Sequence, residues 1–217
     1  MIFHDDYARI PPGEVARFVA AQELGRLITV GEDGTPHVGL YPFVGDGQVF
    51  DLHLVREDEL AVDLAVRPRC VFEVDEILGV IPSYWVAAEY GGAATAYHRT
   101  VIFECRATVV EDAAAVAEQQ ARLLARYQPE GGFRPVQPDD PLYRRALDTL
   151  AAVRLRVERT RVKFKLGQNR PPTTRRRIIE ELRKRGRPND GRAADALAWT
   201  LEPSAGAGAL PASEAGP

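Results

Sequence analysis

The sequence predicts an α+β protein, built on a small antiparallel β-barrel of about six strands with helices at its periphery. Short apolar stretches follow one another through the first half of the chain, and turns rich in glycine and aspartate separate them. Clear helical patterns come mainly later in the chain. No glycine-rich loop follows the first strand, and the early strands lie too close together for crossover helices, which disfavours a parallel nucleotide-binding sheet.

The first half of the chain predicts one short helix and a meander of strands. Pro11-Pro12-Gly13 opens an amphipathic helix that stops near Gly25. Gly34 lies at the tip of the first turn, where a tight reversal needs a positive φ. Pro68 ends a second helix. The predicted strands are residues 27–30, 37–44, 49–54, 70–75 and 77–81, and the second helix is residues 57–66.

The second half combines one long strand with most of the helices. A loop over residues 82–95 carries Tyr84, Trp85 and Tyr90, and exposed aromatic side chains of this kind need a cover. We expect one domain over residues 1–185. From Gly186 onward small residues dominate, which predicts a disordered tail over residues 186–217. The remaining predicted elements are strands 97–110 and 153–166 and helices 113–127, 141–152 and 173–185.

Composition is that of an ordinary globular protein in a reducing compartment. The chain has 217 residues, 45% of them hydrophobic, which is enough to bury a core without disulfides. Cys70 and Cys105 lie in apolar, strand-like runs, which indicates buried, inert thiols. No apolar run reaches the roughly 20 residues of a membrane span, and the N-terminus is acidic where a signal peptide would be basic. We therefore expect a cytoplasmic protein without membrane contact.

Charge is unevenly distributed along the chain. The net charge is −3, yet residues 159–187 hold twelve lysine and arginine residues against two acidic ones. Such a segment can attract a phosphate, a propionate or a nucleic-acid backbone, or it can pair with the acidic remainder of the chain. The predicted basic helix lacks interleaved aromatic residues and any known docking motif, so we do not expect nucleic-acid binding.

Histidines mark two candidate positions on strands. His53 lies in the run from Asp51 to Arg56 and points away from the side of its neighbouring leucines. It could ligate iron or contact an isoalloxazine ring, although a structural histidine is the more common case. In Tyr97-His98-Arg99, the tyrosine and arginine share one face of the strand and His98 takes the other. This segment predicts either a pocket wall or a solvated edge.

The most distinctive string runs from Lys163 to Arg170. Lys163 and Lys165 share one face of the strand, while the intervening apolar residues bury the other. Gln168, Asn169 and Arg170 follow as hydrogen-bond donors. A strand end of this composition can hold an acidic group by charge-assisted hydrogen bonds. The dispersed histidines give no zinc spacing, and no serine nucleophile motif occurs.

These segments resemble a known group of proteins. The order of elements, the segment from His53 to Arg56, the string Pro82-Ser83-Tyr84-Trp85 and the string from Lys163 to Arg170 resemble the PaiB-like branch of the FMN-binding split-barrel superfamily. The resemblance covers about residues 1–185. It implies an FMN-binding split β-barrel and a homodimer with cofactor sites at the subunit interface.

The resemblance to haem-dependent piperazate synthases implies the leading function. Such an enzyme holds haem b and forms an N–N bond, which cyclises the small amino acid N5-hydroxy-ornithine to piperazate. The resemblance implies His53 as the first candidate for the iron ligand and His98 as the second. Tyr97 and Arg99 would orient the substrate, which makes residues 97–99 the candidate catalytic residues. The implied cofactor-binding residues are His53, Arg56, Lys163, Lys165, Gln168 and Arg170.

Two alternative functions follow from the same resemblance. The first is an FMN-binding oxidoreductase in which His53, Arg56 and Lys165 face the flavin. The second is a PaiB-like negative transcriptional regulator that binds DNA through residues 170–187, with a salt dependence that its basic residues would impose.

Overall fold

The structure, a computed structural model, describes residues 2–202 of the chain. Within that range the strands are β1 (Leu24–Val30), β2 (Pro36–Pro42), β3 (Val44–Gly45), β4 (Val49–Val55), β5 (Arg69–Ile81), β6 (Thr95–Val110) and β7 (Leu150–Lys165). The helices are α1 (Asp5–Ala8), α2 (Pro12–Ala20), α3 (Glu59–Val66), α4 (Ala113–Tyr127), α5 (Pro141–Thr149), α6 (Pro172–Arg185) and α7 (Asp190–Trp199). Two short 3-10 helices, Ser83–Trp85 and Gly91–Ala93, lie between β5 and β6.

The strands form one sheet with the order β2-β1-β5-β6-β7-β4-β3. Its pairings are antiparallel, with Leu27 opposite both Gly39 and Phe72. The predicted α+β class with an antiparallel sheet is confirmed. The strand count differs from about six because β2 ends at Pro42, which has no N–H to donate, and β3 then begins separately. The stretches predicted as residues 70–75 and 77–81 form the single strand β5.

The chain divides into two compact units. Residues up to Val15, Asp75–Val101 and those from Arg161 onward form unit 1, whereas Ala16–Val74 and Ile102–Thr160 form unit 2. Strands β5, β6 and β7 each contribute residues to both units. The predicted single domain over residues 1–185 stays a prediction, and the units are described separately below.

Aromatic packing dominates the core of unit 2. The rings of Phe50 and Phe103 have centroids 4.7 Å apart, those of Phe50 and Phe72 4.9 Å, and Phe43 packs edge-on against Phe50 at 5.6 Å. All four side chains are buried. Each such ring removes a large apolar area from water, at about 25 cal/mol per Å². Strand alternation therefore directs Phe50, Phe72 and Phe103 into one core, and Phe43 joins them from the break between β2 and β3.

Unit 1 contains a helical hairpin that the sequence did not predict. The expected disordered tail is wrong for residues 190–199, which form α7. Its Ala194 and Leu197 are fully buried, and α7 packs against α6. Gly186 ends α6 with a φ of +65°, the left-handed conformation that favours glycine at this position. Alanine is common both in flexible linkers and on the buried faces of helices. Composition alone therefore gave the wrong prediction for this segment. Residues 203–217 lie outside the described range.

None of the helices within residues 2–202 is both long and apolar enough to cross a membrane.

Candidate anion-binding site

Unit 1 contains a polar cleft at the end of β7. Its volume is about 150 Å³. Its walls come from four parts of the chain: the N-terminal segment, the loop between β5 and β6, the start of β6, and the end of β7 with the turn that follows it. The polar residues that line it are Tyr7, Thr95, Tyr97, Lys165, Asn169 and Arg170. None of these lining residues is acidic, whereas Lys165 and Arg170 are basic, a composition that favours an anion.

Lys165 is the cation that β7 supplies. Its Nζ donates to Oγ1 of Thr95 at 2.5 Å, which fixes the end of a long and otherwise flexible side chain. Burial, followed by the nearby charge of Lys163, lowers the pKa of Lys165 from its usual range. An anion beside Lys165 would relieve both effects, because it stabilises the protonated amine.

The turn after β7 supplies the second cation. Gly167 has a φ of +75°, and an added Cβ would lie only 3.0 Å from the hydroxyl of Tyr97. Only glycine suits both conditions. The amide of Arg170 donates to the carbonyl of Gly167 at 2.9 Å, which closes the turn and brings Arg170 to the cleft.

Gln168 supports this turn rather than lining the cleft. Its Nε2 donates to the carbonyl of Phe164 at 2.6 Å, and its Oε1 accepts from the amide of Leu166 at 2.8 Å. The side chain predicted to bind a cofactor therefore holds the backbone of the strand end. Asn169, by contrast, lines the cleft, although the sequence analysis named it only as part of the donor run.

Two tyrosines face the cleft as neutral phenols. Burial raises the pKa of Tyr97 to about 12, although Arg170 opposes the shift. Burial also raises the pKa of Tyr7, with a smaller contribution from Asp6. Both hydroxyls therefore keep their protons at neutral pH and can donate hydrogen bonds. Tyr7 was missed by the sequence analysis because nothing in its local pattern connects it with residues 95–170.

His98 lies on the same strand as Tyr97 but outside the residues that line the cleft. Its Nδ1 is 3.0 Å from Oγ1 of Thr100. Burial lowers the pKa of His98, and the charges of Lys163 and Lys165 lower it further. A neutral imidazole at physiological pH follows. Lys163 is likewise not among the cleft residues, and its charge acts on His98 and Lys165.

Arg99 is held by a buried carboxylate. Its Nε donates to Oε2 of Glu76 on β5 at 2.7 Å, and Arg192 of α7 forms an ion pair with the other oxygen of Glu76. Glu76 therefore competes with any substrate carboxylate for the guanidinium of Arg99. The predicted substrate-orienting role of Arg99 did not include this contact. The sequence analysis missed Glu76, although an acidic residue within the apolar stretch 70–81 was a usable signal.

His53 and Arg56 belong to unit 2. The Nδ1 of His53 is buried and has no hydrogen-bond partner among the described residues. Burial lowers its pKa, which keeps the ring neutral. Arg56 donates to the carbonyls of Leu150, at 2.9 Å, and Glu111, at 2.6 Å. Its guanidinium thereby connects the end of β4 to neighbouring backbone. This role is structural, whereas the sequence predicted a contact with the cofactor.

The arginines of the basic helix α6 contact unit 1 itself. Arg177 donates to the carbonyl of Trp85 at 2.8 Å, and Arg175 donates to Thr200 at 2.7 Å. Arg185 stacks 4.8 Å above the ring of Trp85 and pairs with Asp190. These side chains cover Trp85, whereas Tyr84 and Tyr90 stay exposed at 63% and 68% of their area, so the cover expected for the aromatic loop is only partial.

No group of three or more histidine, cysteine or acidic residues within residues 2–202 is arranged to hold a metal ion. A haem iron needs only one protein ligand, so this finding concerns direct metal sites alone.

Comparison with known proteins identifies a family and a fold. The family model described as pyridoxamine 5'-phosphate oxidase matches residues 11–163. The structure of Rv2991 from Mycobacterium tuberculosis is 24% identical, covers 79% of this chain and 94% of that chain, and has a TM-score of 0.57. None of the curated proteins matches this sequence.

Two further solved structures share the fold. The flavocytochrome Anf3 from Azotobacter vinelandii is 19% identical, covers 73% of this chain and 69% of that chain, and has a TM-score of 0.58. An FAD- and haem-binding protein from Mycobacterium smegmatis is 16% identical, covers 71% of each chain, and has a TM-score of 0.57. At these identities the likeness establishes the split-barrel fold, which confirms the predicted architecture.

Proposed function

Because this chain belongs to the pyridoxamine 5'-phosphate oxidase family, we propose that it is an oxidoreductase that binds FMN, with the FMN phosphate in the cleft of unit 1. The observation that carries the proposal is the pair Lys165 and Arg170 in a cleft without acidic lining. When bound, FMN exchanges two electrons with a small-molecule substrate.

The size and chemistry of the cleft suit one acidic group. Whole-ligand pockets are typically about 300–1,000 Å³, so a cleft of about 150 Å³ holds a head group rather than an entire cofactor. Lys165 supplies a point charge and Arg170 a planar, forked donor, which together match a phosphate dianion. Tyr7, Tyr97 and Asn169 add neutral hydrogen-bond donors around it.

The remaining predicted site residues have separate tasks in this proposal. His98 stays neutral because of its burial and the neighbouring lysines, so it can accept a proton from a substrate. Arg99 keeps its strand rigid through Glu76 rather than contacting substrate. Tyr97 donates a hydrogen bond to the acidic group of the cofactor. Of the predicted catalytic residues 97–99, it is the one that lines the cleft.

A haem b enzyme is the second candidate, as the sequence resemblance favours. His53 and His98 both have a pKa lowered by burial, and a neutral imidazole is the form that binds iron. The unpartnered Nδ1 of His53 is compatible with a ring whose other nitrogen serves a ligand. With His98 of unit 1 as the iron ligand, Lys165 and Arg170 would bind a propionate, and the reaction would close N5-hydroxy-ornithine to piperazate as the N–N bond forms, the N–O bond breaks and water leaves.

Two structures with this fold carry flavin or haem in their names. The two neighbours from Azotobacter vinelandii and Mycobacterium smegmatis are named as a flavocytochrome and as an FAD- and haem-binding protein. Their names support keeping flavin and haem as the two candidates. The transcriptional-regulator alternative has fewer cations available than the sequence suggests, because Arg175, Arg177 and Arg185 of α6 already have partners within unit 1.

The absorption spectrum of the purified protein separates the candidates. We expect the flavin bands, and FMN as the species released on denaturation. A Soret band instead of flavin bands would overturn the FMN proposal in favour of haem. In that case, His53→Ala and His98→Ala identify the ligand by loss of the Soret band. His4→Ala is the matched control, because His4 is exposed and contacts only side chains near the N-terminus, those of Asp6 and Tyr7, among the described residues.

The predicted homodimer also belongs to this proposal. The outer side of β1 and β2 exposes apolar residues, among them Val38 at 59% and Leu40 at 53% of their area. A contiguous exposed apolar face is typical of an interface. Size-exclusion chromatography with light scattering should show a dimer of the 23.9 kDa chain. Leu40→Asp should convert it to a monomer, and a wild-type monomer would contradict the proposal.

A further inference from the structure

Unit 2 contains a second cleft, on the side of the sheet that α4 covers. Its volume is about 250 Å³. One wall is a stripe of α4 that includes Ala115, Gln119 and Arg122. The sheet provides further lining residues: Thr108 and Val110 of β6 supply apolar surface, and β7 supplies Ala152 and Arg154. None of the predicted site residues lines this cleft. The family match assigns it no role, and the proposed cofactor does not use it.

Gln119 is the first unusual feature of this cleft. Only 2% of the residue is exposed. Its Nε2 donates to the carbonyl of Val153 at 3.0 Å, which fixes the orientation of the amide. Its Oε1 has no hydrogen-bond partner among the residues that the structure describes. An unpaired buried acceptor is unfavourable, because it has lost water without gaining a protein partner.

Arg122 is the second unusual feature. One terminal nitrogen contacts Asp51 at 3.0 Å, and the other donates to Glu118 at 2.6 Å. Its Nε is buried and, among the described residues, has no partner. Within one cleft, the α4 stripe therefore provides one unpaired acceptor and one unpaired donor, three residues apart and on the same side of the helix.

The charges around this cleft are already paired. Asp51 accepts from both Arg154, at 2.8 and 2.9 Å, and Arg122. Arg122 also pairs with Glu118. Two basic and two acidic side chains thus balance one another, so the cleft offers no net charge to an ion. A neutral ligand is the kind that fits.

We propose that this cleft binds a neutral small molecule in which an amide or lactam group is joined to a flat apolar body. The ligand N–H donates to Oε1 of Gln119, and its carbonyl accepts from Nε of Arg122. Val110 and Ala115 contact the apolar body. Because both polar atoms are shielded from solvent, binding requires a small side-chain rotation, for which Arg122, at 34% side-chain exposure, has room.

Benzamide is a suitable probe, because it combines an amide with a flat apolar ring. Acetophenone has the same shape and carbonyl but no N–H donor. In a titration of the full chain followed by amide NMR shifts, we expect saturable shifts on α4 and about tenfold tighter binding of benzamide than of acetophenone. Equal affinity of the two probes, or shifts that do not saturate, would overturn the proposal.

A cleft-filling variant tests the location. Ala115→Leu should abolish the benzamide shifts, because its side chain occupies the cleft while Gln119 and Arg122 stay intact. Ala114→Leu is the matched control, since Ala114 is the exposed neighbour on the same helix. Thr108→Leu, at an exposed strand position on the opposite wall, replaces Ala115→Leu if that variant does not fold. Benzamide binding that persists in the folded variant would refute this site.

Discussion

Glu76 on β5 and Arg99 on β6 form an ion pair, with Arg99 Nε donating to Glu76 Oε2 at 2.7 Å. The side chain of Glu76 is only 4% exposed. Arg192 of α7 forms an ion pair with the other oxygen of the same carboxylate. One buried acid thus connects two strands of unit 1 with a helix that the sequence had assigned to a disordered tail.

Replacing this acid should destabilise the protein. Glu76→Gln removes the negative charge that Arg99 and Arg192 share. Breaking a fully buried pair costs about 3–5 kcal/mol, and because Arg99 and Arg192 are partly exposed we expect about 2 kcal/mol. Urea denaturation measures the change. Glu111→Gln is the control, because its pair with Arg56 is on the surface and should cost less than about 1 kcal/mol. Equal effects of the two variants would argue against a buried role for Glu76.

Helix α7 should contribute directly to stability. Leu197 is fully buried, so Leu197→Ala should cost about 2–5 kcal/mol through lost burial and the cavity left behind. Asp195→Ala, on the exposed side of the same helix, should change stability by less than about 0.5 kcal/mol. A Leu197→Ala protein as stable as wild type would mean that α7 does not pack in solution.

The pair His37 and Asp63 in unit 2 should make stability depend on pH. The carboxylate of Asp63 accepts from Nδ1 of His37 at 2.8 Å and raises the pKa of the imidazole above 6.5. The folded state therefore binds this proton more tightly than the unfolded state. The stabilisation is fully present below about pH 6.5 and is lost as the pH rises through the folded-state pKa.

Thermal unfolding of wild type and His37→Gln between pH 5 and 9 tests this effect. The difference in Tm should be largest below pH 6.5 and shrink above it. His4→Gln, which changes an exposed histidine, should show no such trend. A difference that stays constant across the range would show that protonation of His37 is not linked to folding.

The two cysteines should be unreactive in the folded protein. Burial raises the pKa of both Cys70 and Cys105 to about 12, against a usual value of 9.0. The thiolate fraction falls roughly a thousandfold, and the thiolate is the nucleophile. Ellman's reagent at pH 8 should label neither thiol within minutes, and should label both after unfolding. Fast labelling of the native protein would contradict this burial.

Local sequence patterns predicted much of the fold. Helix α4 begins and ends at residues 113 and 127 as predicted, because its boundaries depend on local signals such as Asp112, which accepts from two amides of the first turn. Lys165 and Arg170, which were named from the string at the end of β7, both line the cleft, because strand alternation orients Lys165 and the turn at Gly167 brings in Arg170. These features depend on neighbours in sequence.

Features that depend on distant pairing could not be predicted. Tyr7 reaches the cleft across about 150 residues of chain, and Arg99 finds Glu76 on another strand. The alanines of α7 look like a linker until α6 provides the surface that buries them. Contacts between residues far apart in sequence determine these features, and the local pattern of a single sequence does not show which distant residues will meet.

Comparison of FMN with riboflavin tests the central claim most directly, because the two differ only by the phosphate. Titration of the cofactor-free protein, followed by flavin fluorescence, should show FMN bound about 100-fold more tightly. Lys165→Gln should remove most of that difference, whereas Lys184→Gln, an exposed cation of α6, should preserve it. Equal affinity for FMN and riboflavin would contradict the assignment of the cleft as a phosphate site.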